Sequence, residues 1–216
     1  VRVTSGAETL RHFLPDVIAK YRSEHDAVTF DVRRQHGEAA EAALASLETD
    51  LALIFEPIRS SDFQTIATTR QPVYCCMAET HDLAQFETIR LHQLIDIPVV
   101  LPTNRSGVRQ LLNVGLMRRN INFAMMLETD SQEFTQSYLH NEMVIGFQIP
   151  IGIPRYMAEG RSVNGLIARP IDSQDVPHGT LHIGYLRGRV LPVAAAKFMD
   201  LIITELRERF PKDLDQ

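Results

Sequence analysis

The feature that most constrains the fold is the run Leu51-Ala52-Leu53-Ile54-Phe55, in which every residue is apolar. A strand of this kind is typical of a parallel sheet that is covered on both faces. Other short apolar runs alternate with amphipathic stretches at helical spacing, such as residues 10–21 and 192–210. Strands that alternate with helices predict an α/β protein with mixed, mostly parallel sheets.

The number of predicted strands suits two small sheets better than one large sheet. Pro15 lies inside the first helical stretch, so that helix either begins late or is kinked. The adjacent Met125 and Met126 are predicted to be core residues of a strand. Further strands are predicted at 1–3, 28–32, 73–77, 97–101, 123–127, 143–149, 166–171 and 181–186, and further helices at 38–47, 108–116 and 131–140.

Two polar breaks, at 68–71 and 172–179, are candidate crossovers between two lobes. Two crossovers make the first lobe discontinuous, because the last helix then returns to it. The sequence therefore predicts lobe I at 1–70 plus 177–216 and lobe II at 71–176.

Charge and composition exclude several classes of protein. The chain has 22 Lys and Arg against 27 Asp and Glu, a net charge of −5, which does not suit a DNA-binding surface. It contains no run of 18 apolar residues and does not begin like a signal peptide, so we expect no membrane partner and a cytoplasmic location. The adjacent Cys75 and Cys76 are expected to be buried and reduced.

Several short motifs resemble the effector-binding domain of LysR-type transcriptional regulators. Each motif is weak by itself, but their order and spacing together are specific, and they extend over nearly the whole chain. The sequence departs from the family pattern at 141–150, where a Gly-rich run before a Pro is mostly replaced. The matching residues are Phe13-Leu14-Pro15, Leu44 through Asp50-Leu51-Ala52-Leu53, His81-Asp82-Leu83-Ala84, 91–102, 181–186, Arg189, Pro192 and Phe198.

The resemblance implies a periplasmic-binding-protein type 2-like fold, in which two lobes hold a small effector in the cleft between them. It also implies an N-terminal winged helix-turn-helix outside this chain, which would make the contact with DNA. Family members assemble as homodimers or tetramers through these domains. The expected effector is a small, acidic metabolite.

Ligands of open α/β sheets bind beyond the carboxyl ends of the strands, where helices begin. In the first lobe this places Ser5, Gly6 and Glu8 at a candidate effector site, although Glu8 is also a favourable first-turn residue of a helix. His36 and Gly37 open the next helix, as a site or as an ordinary turn. Phe55 ends its strand and either stacks on an effector or covers the core.

In the second lobe, Thr103 and Asn104 supply polar groups where a helix begins, and the neighbouring Ser106 or Asn104 is a candidate N-cap. Thr129 matches a family pattern, and Asp130 after it is predicted to cap the following helix. Gln148 is a further candidate contact at the end of a strand.

Two other functions remain open from the sequence. One is a free-standing solute-binding protein of a transporter, which shares the fold. The other is an enzyme of the same fold, for which Glu8 and His36 would have to supply an acid and base pair. The chain lacks the Gly-x-Ser-x-Gly, Walker A, Gly-x-Gly-x-x-Gly and His-Glu-x-x-His motifs. We therefore expect no catalysis, no cofactor and no metal, although His178 and His182 are four residues apart.

Overall fold

The computed structural model describes residues 1–140 and 143–215. The chain divides into two compact units, and each is described by itself. Unit 1 comprises Val1–Arg70 and the segment from Thr180 onward, and unit 2 comprises Gln71–Gly179. The divisions therefore fall at 70/71 and 179/180, against 70/71 and 176/177 in the sequence analysis.

The first helical stretch is interrupted rather than kinked. It consists of two helices joined at Phe13, whose φ of −135° and ψ of −66° are not helical. Pro15 stands in the first turn of the second helix, where its missing N–H leaves no helical hydrogen bond unmade. The elements up to the first division are β1 (Arg2–Ser5), α1 (Ala7–His12), α2 (Leu14–Glu24), β2 (Asp31–Arg34), α3 (Gly37–Ala45), β3 (Leu51–Phe55) and β4 (Phe63–Gln71).

Two elements in this part of the chain differ from the predicted ones. The strand β4 was not predicted, although alternate side chains such as Ala67 and Thr69 are buried in the sheet; it includes the polar break 68–71, where the division at 70/71 falls. The strand predicted at 28–32 is β2, which begins three residues later and is exposed along its whole length.

The remaining elements follow the predicted alternation. Short 3-10 turns at Asp82–Gln85, Leu91–Leu94 and Pro150–Gly152 were not predicted. The elements are β5 (Tyr74–Ala78), β6 (Pro98–Pro102), α4 (Gly107–Arg119), β7 (Ala124–Thr129), α5 (Gln132–Leu139), β8 (Ile145–Gln148), α6 (Arg155–Ala158), β9 (Leu166–Pro170), β10 (Gly179–Leu186), α7 (Val193–Arg209) and β11 (Leu214–Asp215).

Each unit contains one sheet with a parallel triplet of strands. The order in unit 1 is β11-β4-β10-β3-β1-β2, and β1 is parallel to both β2 and β3. The order in unit 2 is β7-β6-β8-β5-β9, and β6 is parallel to both β7 and β8. Strand β10 runs antiparallel to β3, and β5 runs antiparallel to β8 and β9. Two mixed sheets with flanking helices confirm the predicted fold class.

Aromatic packing fixes the C-terminal helix in unit 1. The Phe198 ring of α7 meets the Tyr21 and Phe30 rings edge-on, with centroid distances of 5.3 and 4.8 Å. The Tyr21 hydroxyl donates a hydrogen bond of 3.0 Å to the carbonyl of Ala194. The helix at the end of the chain is thereby held against α2, near the beginning of the chain.

The methionines of β7 are not in the core. Met125 and Met126 are 55% and 51% exposed, because β7 is an edge strand of its sheet. Cys75 and Cys76 behave as predicted: both are buried and free. Burial raises the pKa of Cys76 to about 12, and burial with the neighbouring Cys76 raises that of Cys75, so both thiols are protonated and unreactive.

Each unit also buries an aspartate between two arginines. In unit 1, Asp50 accepts from Arg2 at 2.7 Å and from Arg189 at 2.6 Å. The motif residues Asp50 and Arg189 are therefore an ion pair that ties the start of β3 to the segment before α7.

The aspartate of unit 2 is Asp175. It accepts from Arg90 at 2.7 Å, from Arg119 at 2.8 Å and from the backbone N–H of Leu91 at 3.0 Å. A Cβ on Gly115 of α4 would lie 2.6 Å from the Asp175 carbonyl oxygen, so only glycine lets the helix approach this segment.

Candidate functional site

The candidate residues of unit 1 lie where three parallel strands end. Ser5, the last residue of β1, is in register with Arg34 of β2 and with Leu53 of β3. Gly6 and Glu8 follow β1, His36 and Gly37 follow β2, and Phe55 ends β3. The fold thus brings all six candidate residues to the carboxyl edge of one sheet.

The hydroxyl of Ser5 has internal partners. It is fully buried, donates to the Leu53 carbonyl at 3.0 Å, and makes a short hydrogen bond with the Thr9 hydroxyl. Ser5 therefore holds α1 and β3 together at this edge, a role that the sequence analysis did not assign to it. Its part in effector binding stays a prediction.

Gly6 is the point on which Glu8 and His36 converge. A Cβ at position 6 would collide with the Glu8 carboxylate and would lie 3.1 Å from Nδ1 of His36. A side chain on residue 6 would therefore displace both groups. This explains the glycine by close approach, since its φ of −67° is one that any residue adopts.

Glu8 is 8% exposed and lies in the first turn of α1, where a carboxylate favours the helix. Within residues 1–140 and 143–215, no side chain or backbone group donates a hydrogen bond to its carboxylate. The structure therefore places Glu8 both at a helix start and at the strand edge, as the two interpretations of the sequence expected.

His36 and Gly37 form an open turn before α3. His36 is exposed and stands at the N-cap of α3 without a side-chain cap. Gly37 has a φ of +45°, which glycine adopts without strain, and a Cβ there would meet nothing within 4 Å. The backbone is thus accessible at the same edge as Glu8.

Glu56 was not predicted as a site residue, although it follows a strand end as Gly6 does. Phe55 and Glu56 are both half-buried at the end of β3. Burial raises the pKa of Glu56, and hydrogen bonds from Thr180 oppose the rise. Phe55 pairs with Leu181 of β10, which accounts for the position of Thr180 beside Glu56.

In unit 2, three candidates again come from the ends of parallel strands. Thr129, the last residue of β7, is in register with Pro102 of β6, which directly precedes Thr103. Gln148 is the last residue of β8, which is parallel to β6. Thr103, Thr129 and Gln148 therefore lie along one edge, where they are part of a polar rim.

The loop from Thr103 to Ser106 leads into α4. Ser106 is the N-cap, as proposed, but its side chain makes no cap hydrogen bond. Its N–H donates to the Thr103 carbonyl at 2.9 Å, while the side chains of Asn104 and Arg105 are exposed. The first N–H groups of this 13-residue helix thus lack a side-chain cap.

The next loop corrects one prediction. Ser131, not Asp130, is the N-cap of α5, because its hydroxyl accepts from the N–H of Phe134 at 3.1 Å. The Thr129 hydroxyl accepts from the N–H of Ser131 at 3.1 Å, so Thr129 orders this loop.

Gln148 lies in the segment 141–150 that departs from the family pattern, of which Asn141 and Glu142 are outside the described residues. Its amide oxygen accepts from Gln132 at 3.4 Å. Gln148 also lines a small pocket with Cys76, Leu139 and Phe147. This side chain therefore lies between the strand edge and the interior of unit 2.

Other kinds of site find little support. Across the described ranges, no three His, Cys, Asp or Glu side chains are grouped so that they could hold a metal ion. His178 is exposed, and Nδ1 of His182 lies 3.3 Å from the Thr65 hydroxyl. Of the helices in residues 1–140 and 143–215, none is long and apolar enough to cross a membrane.

Comparison with known proteins gives one family. Residues 1–207 match the family described as LysR substrate binding domain. The chain is similar to the HTH-type transcriptional activator CmpR of Synechocystis sp. (strain ATCC 27184 / PCC 6803 / Kazusa), with 18% identity over 93% of this chain and 63% of CmpR. It is also 23% identical to the uncharacterized HTH-type transcriptional regulator YeiE of Escherichia coli K12, over 62% of this chain and 45% of YeiE. The matches thus span less than two thirds of these relatives.

Solved structures show the same fold. The effector binding domain of QuiR, in complex with shikimate, superposes with a TM-score of 0.77 at 16% identity, over 97% of this chain and 98% of that one. The CcmR regulatory domain of Synechocystis PCC6803, in complex with 2-PG, superposes with a TM-score of 0.79 at 18% identity, over 94% and 95%.

Proposed function

The chain belongs to the family of LysR substrate-binding domains, and on that premise we propose that it senses a small-molecule effector for a LysR-type transcriptional regulator. One observation carries the proposal. In each unit, the candidate polar residues meet at the carboxyl edge of a parallel triplet of strands. This is where open α/β sheets bind ligands.

In unit 2, the Thr103–Ser106 loop and the start of α4 suit an anionic group. The first N–H groups of a long helix carry partial positive charge and accept carboxylate or phosphate oxygens. The hydroxyls of Thr103 and Thr129 would add donors at the same edge. The solved QuiR and CcmR domains hold shikimate and 2-PG, so domains of this fold do bind small metabolites.

Control of DNA binding follows from the thermodynamic linkage between effector binding and the state of the regulator. An effector that binds two states of the regulator with different affinity shifts their populations, and the coupling typically changes DNA affinity by about 5–150-fold. DNA contact belongs to an N-terminal domain, in keeping with the net charge of −5 of this chain. We expect the protein to be in the cytoplasm, where a bacterial-type transcriptional regulator meets its DNA. It binds its effector without converting it, so we expect the ligand to be recovered unchanged.

Self-association is the second part of the proposal. One edge strand of each sheet presents apolar side chains to solvent: Val32 of β2 is 40% exposed, and Met125 and Met126 of β7 are more than half exposed. Exposed apolar edge strands favour pairing with another chain. We expect a second copy to cover these edges, as a homodimer or tetramer.

Thermal denaturation with a panel of organic acids, aromatic acids, amino acids and amines tests effector sensing, because a ligand of the native state raises the midpoint. A carboxylate that raises the midpoint for the native protein and not for Thr103→Ala would support the unit 2 edge. A full-length regulator whose DNA affinity ignores every ligand that binds the domain would contradict the proposal.

Sedimentation equilibrium tests self-association. We expect a dimer or larger assembly that Met125→Lys with Met126→Lys dissociates, while Met117→Lys on exposed α4 leaves it intact. A monomer at about 100 µM would contradict this part of the proposal, since obligate dimers with interfaces of standard size bind more tightly.

A further inference from the structure

Glu8 differs from every other buried acid in the described part of the chain. Glu41 accepts from the N–H of Arg59 at 2.7 Å, and Asp50 and Asp175 each bind two arginines. Glu8 is buried to the same degree as Glu41, yet no group in residues 1–140 and 143–215 donates to its carboxylate. The Glu8 oxygens are not among the fully buried side-chain atoms that lack a partner, so they reach solvent, where they can accept from a bound cation or donor.

Two glycines set the surroundings of the Glu8 carboxylate. The carboxylate lies over Gly6, and Nδ1 of His36 approaches the same point. Gly37 adds a backbone with open space around it. Gly6 therefore lets the Glu8 carboxylate settle against the strand edge, and the open space for a ligand is at Gly37.

The other side chains at this edge add acceptors. Glu56 is a half-buried carboxylate at the end of β3, and Phe55 beside it offers an aromatic ring, whose face attracts cations. Arg34 of β2, in register with Ser5, is exposed and makes no ion pair with Glu8 within 4 Å. In the described part of the chain, neither Glu8 nor Glu56 is held in an ion pair.

We propose that this edge of unit 1 recognises a primary ammonium or guanidinium group of the effector, and that Glu8 is the acceptor that determines this specificity. The inference rests on the proposed effector-sensing function and sharpens it. An effector of this class is not the simple acid that the sequence analysis expected. A hydroxyl side chain can donate to the carboxylate of an acidic effector, whereas the Glu8 carboxylate would repel it.

Probes built on a four-carbon chain, with different charges, test the inference: n-butylammonium, n-butylguanidinium, butanol and butyrate. Two-dimensional ¹H–¹⁵N spectra of the whole chain, with the amides of Gly6 and Gly37 as reporters, measure binding directly. We expect saturable shifts with the two cations, with Kd in the range of about 1–30 mM for fragments of this size. Butanol and butyrate should give no saturable shift at these amides.

Glu8→Gln keeps the size of the side chain and removes its charge. We expect it to weaken butylammonium binding at least tenfold. Glu205→Gln is the matched control, because it removes one carboxylate from the same unit, where Glu205 pairs with Lys20 on the surface. Gly6→Ala is the second variant. It keeps the charge but displaces the Glu8 carboxylate, and it should weaken binding as well.

Three results would overturn the inference: no saturable shift with either cation up to about 200 mM, equal binding of butyrate, or equal binding by the Glu8→Gln protein. An acidic effector that binds independently of Glu8 would also overturn it, while effector sensing would stand. If ammonium ligands bind at Gly6 but leave the DNA affinity of the full-length regulator unchanged, effector sensing fails and this site stands.

Discussion

Asp50 and Glu8 lie in the same unit, at opposite ends of its parallel strands, and both are nearly inaccessible to solvent. Asp50 precedes β3, is 4% exposed, and is bound by two arginines. Glu8 follows β1, is 8% exposed, and has no donor in the described structure. Unit 2 repeats the first arrangement at Asp175, which two other arginines bind.

The difference separates acids with arginine partners from an acid without any protein donor. A carboxylate with arginine partners exchanges hydration for ion pairs that also connect distant segments, so its loss leaves charges uncompensated. A carboxylate without partners, whose oxygens reach solvent as those of Glu8 do, contributes little to the folded state beyond its effect on the helix start. The two kinds of acid should therefore respond differently to substitution, to pH and to ligands.

The largest effect is expected for Asp50→Ala. The change leaves Nη2 of the mostly buried Arg189 and the N–H of Arg2 without their carboxylate acceptor, while Nη1 of Arg189 still donates to the Thr49 carbonyl. Breaking a buried pair from one side costs about 3–5 kcal/mol of unfolding free energy. Urea denaturation measures this, with the exposed Asp130→Ala as control, for which a change within about 0.5 kcal/mol is expected. A loss below about 1 kcal/mol for Asp50→Ala would mean that the ion pair is not structural.

His12 gives the second prediction, because it is a titratable group without a partner. In the described structure its Nε2 is buried and unbonded. Burial, then the charges of Arg11 and Arg209, lower its pKa to about 4. Below pH 6.5 the unfolded chain binds a proton that the native chain does not, so stability falls as the pH falls from about 6.5 to 4.

His12→Gln should remove this part of the pH dependence. We expect a contribution on the order of 1–2 kcal/mol, reduced from the full shift because the side chain is only half-buried. Urea midpoints measured between pH 4 and 7 test the change, with His140→Gln, an exposed histidine, as control. Parallel pH profiles for the native protein and His12→Gln would contradict the assignment.

Sequence reasoning recovered the parts of the fold that have a local signal. The apolar run 51–55 and the helical spacing of 192–210 predicted β3 and α7 almost to the residue. The strand β4 was missed because Thr68, Thr69 and Gln71 are polar, and only pairing within the sheet makes them a strand. Met125 and Met126 were placed in the core because hydrophobicity does not reveal which strand lies at an edge.

In the candidate site, too, features with a local sequence signal were predicted and long-range contacts were not. Strand ends are visible in the sequence, so Gly6, Glu8 and His36 were found. The partners of a side chain depend on contacts that are distant in the sequence, such as Asp50 with Arg189, and they were not predicted. For that reason the sequence could not show that Ser5 has internal hydrogen bonds while Glu8 has none.

Asp175 gives the third prediction, in a lower pH range. Hydrogen bonds from Arg90, against the effect of burial, lower the pKa of Asp175 to about 2. Its stabilisation is thus present above the unfolded pKa of about 3.9 and is lost as the pH falls from about 4 to 2. We expect a loss on the order of 1 kcal/mol after allowance for solvent screening by its partly exposed arginines. In Asp175→Asn, the urea midpoint should no longer depend on pH between about 4 and 2, while its dependence between pH 4 and 6.5 should be unchanged. A pH dependence below pH 4 that persists in this variant would contradict the assignment.

The smallest expected effect is the most informative for the comparison. Glu8→Met keeps the length of the side chain and removes a carboxylate without a donor, so the loss of charge burial and of the helix-start interaction should nearly cancel. We expect a change in unfolding free energy within about 0.5 kcal/mol. The matched change Glu41→Met leaves the N–H of Arg59 unpaired and should cost about 1–2 kcal/mol. If Glu8→Met costs 2 kcal/mol or more in urea denaturation, Glu8 is a structural acid like Asp50, and its role as a ligand acceptor loses its physical basis.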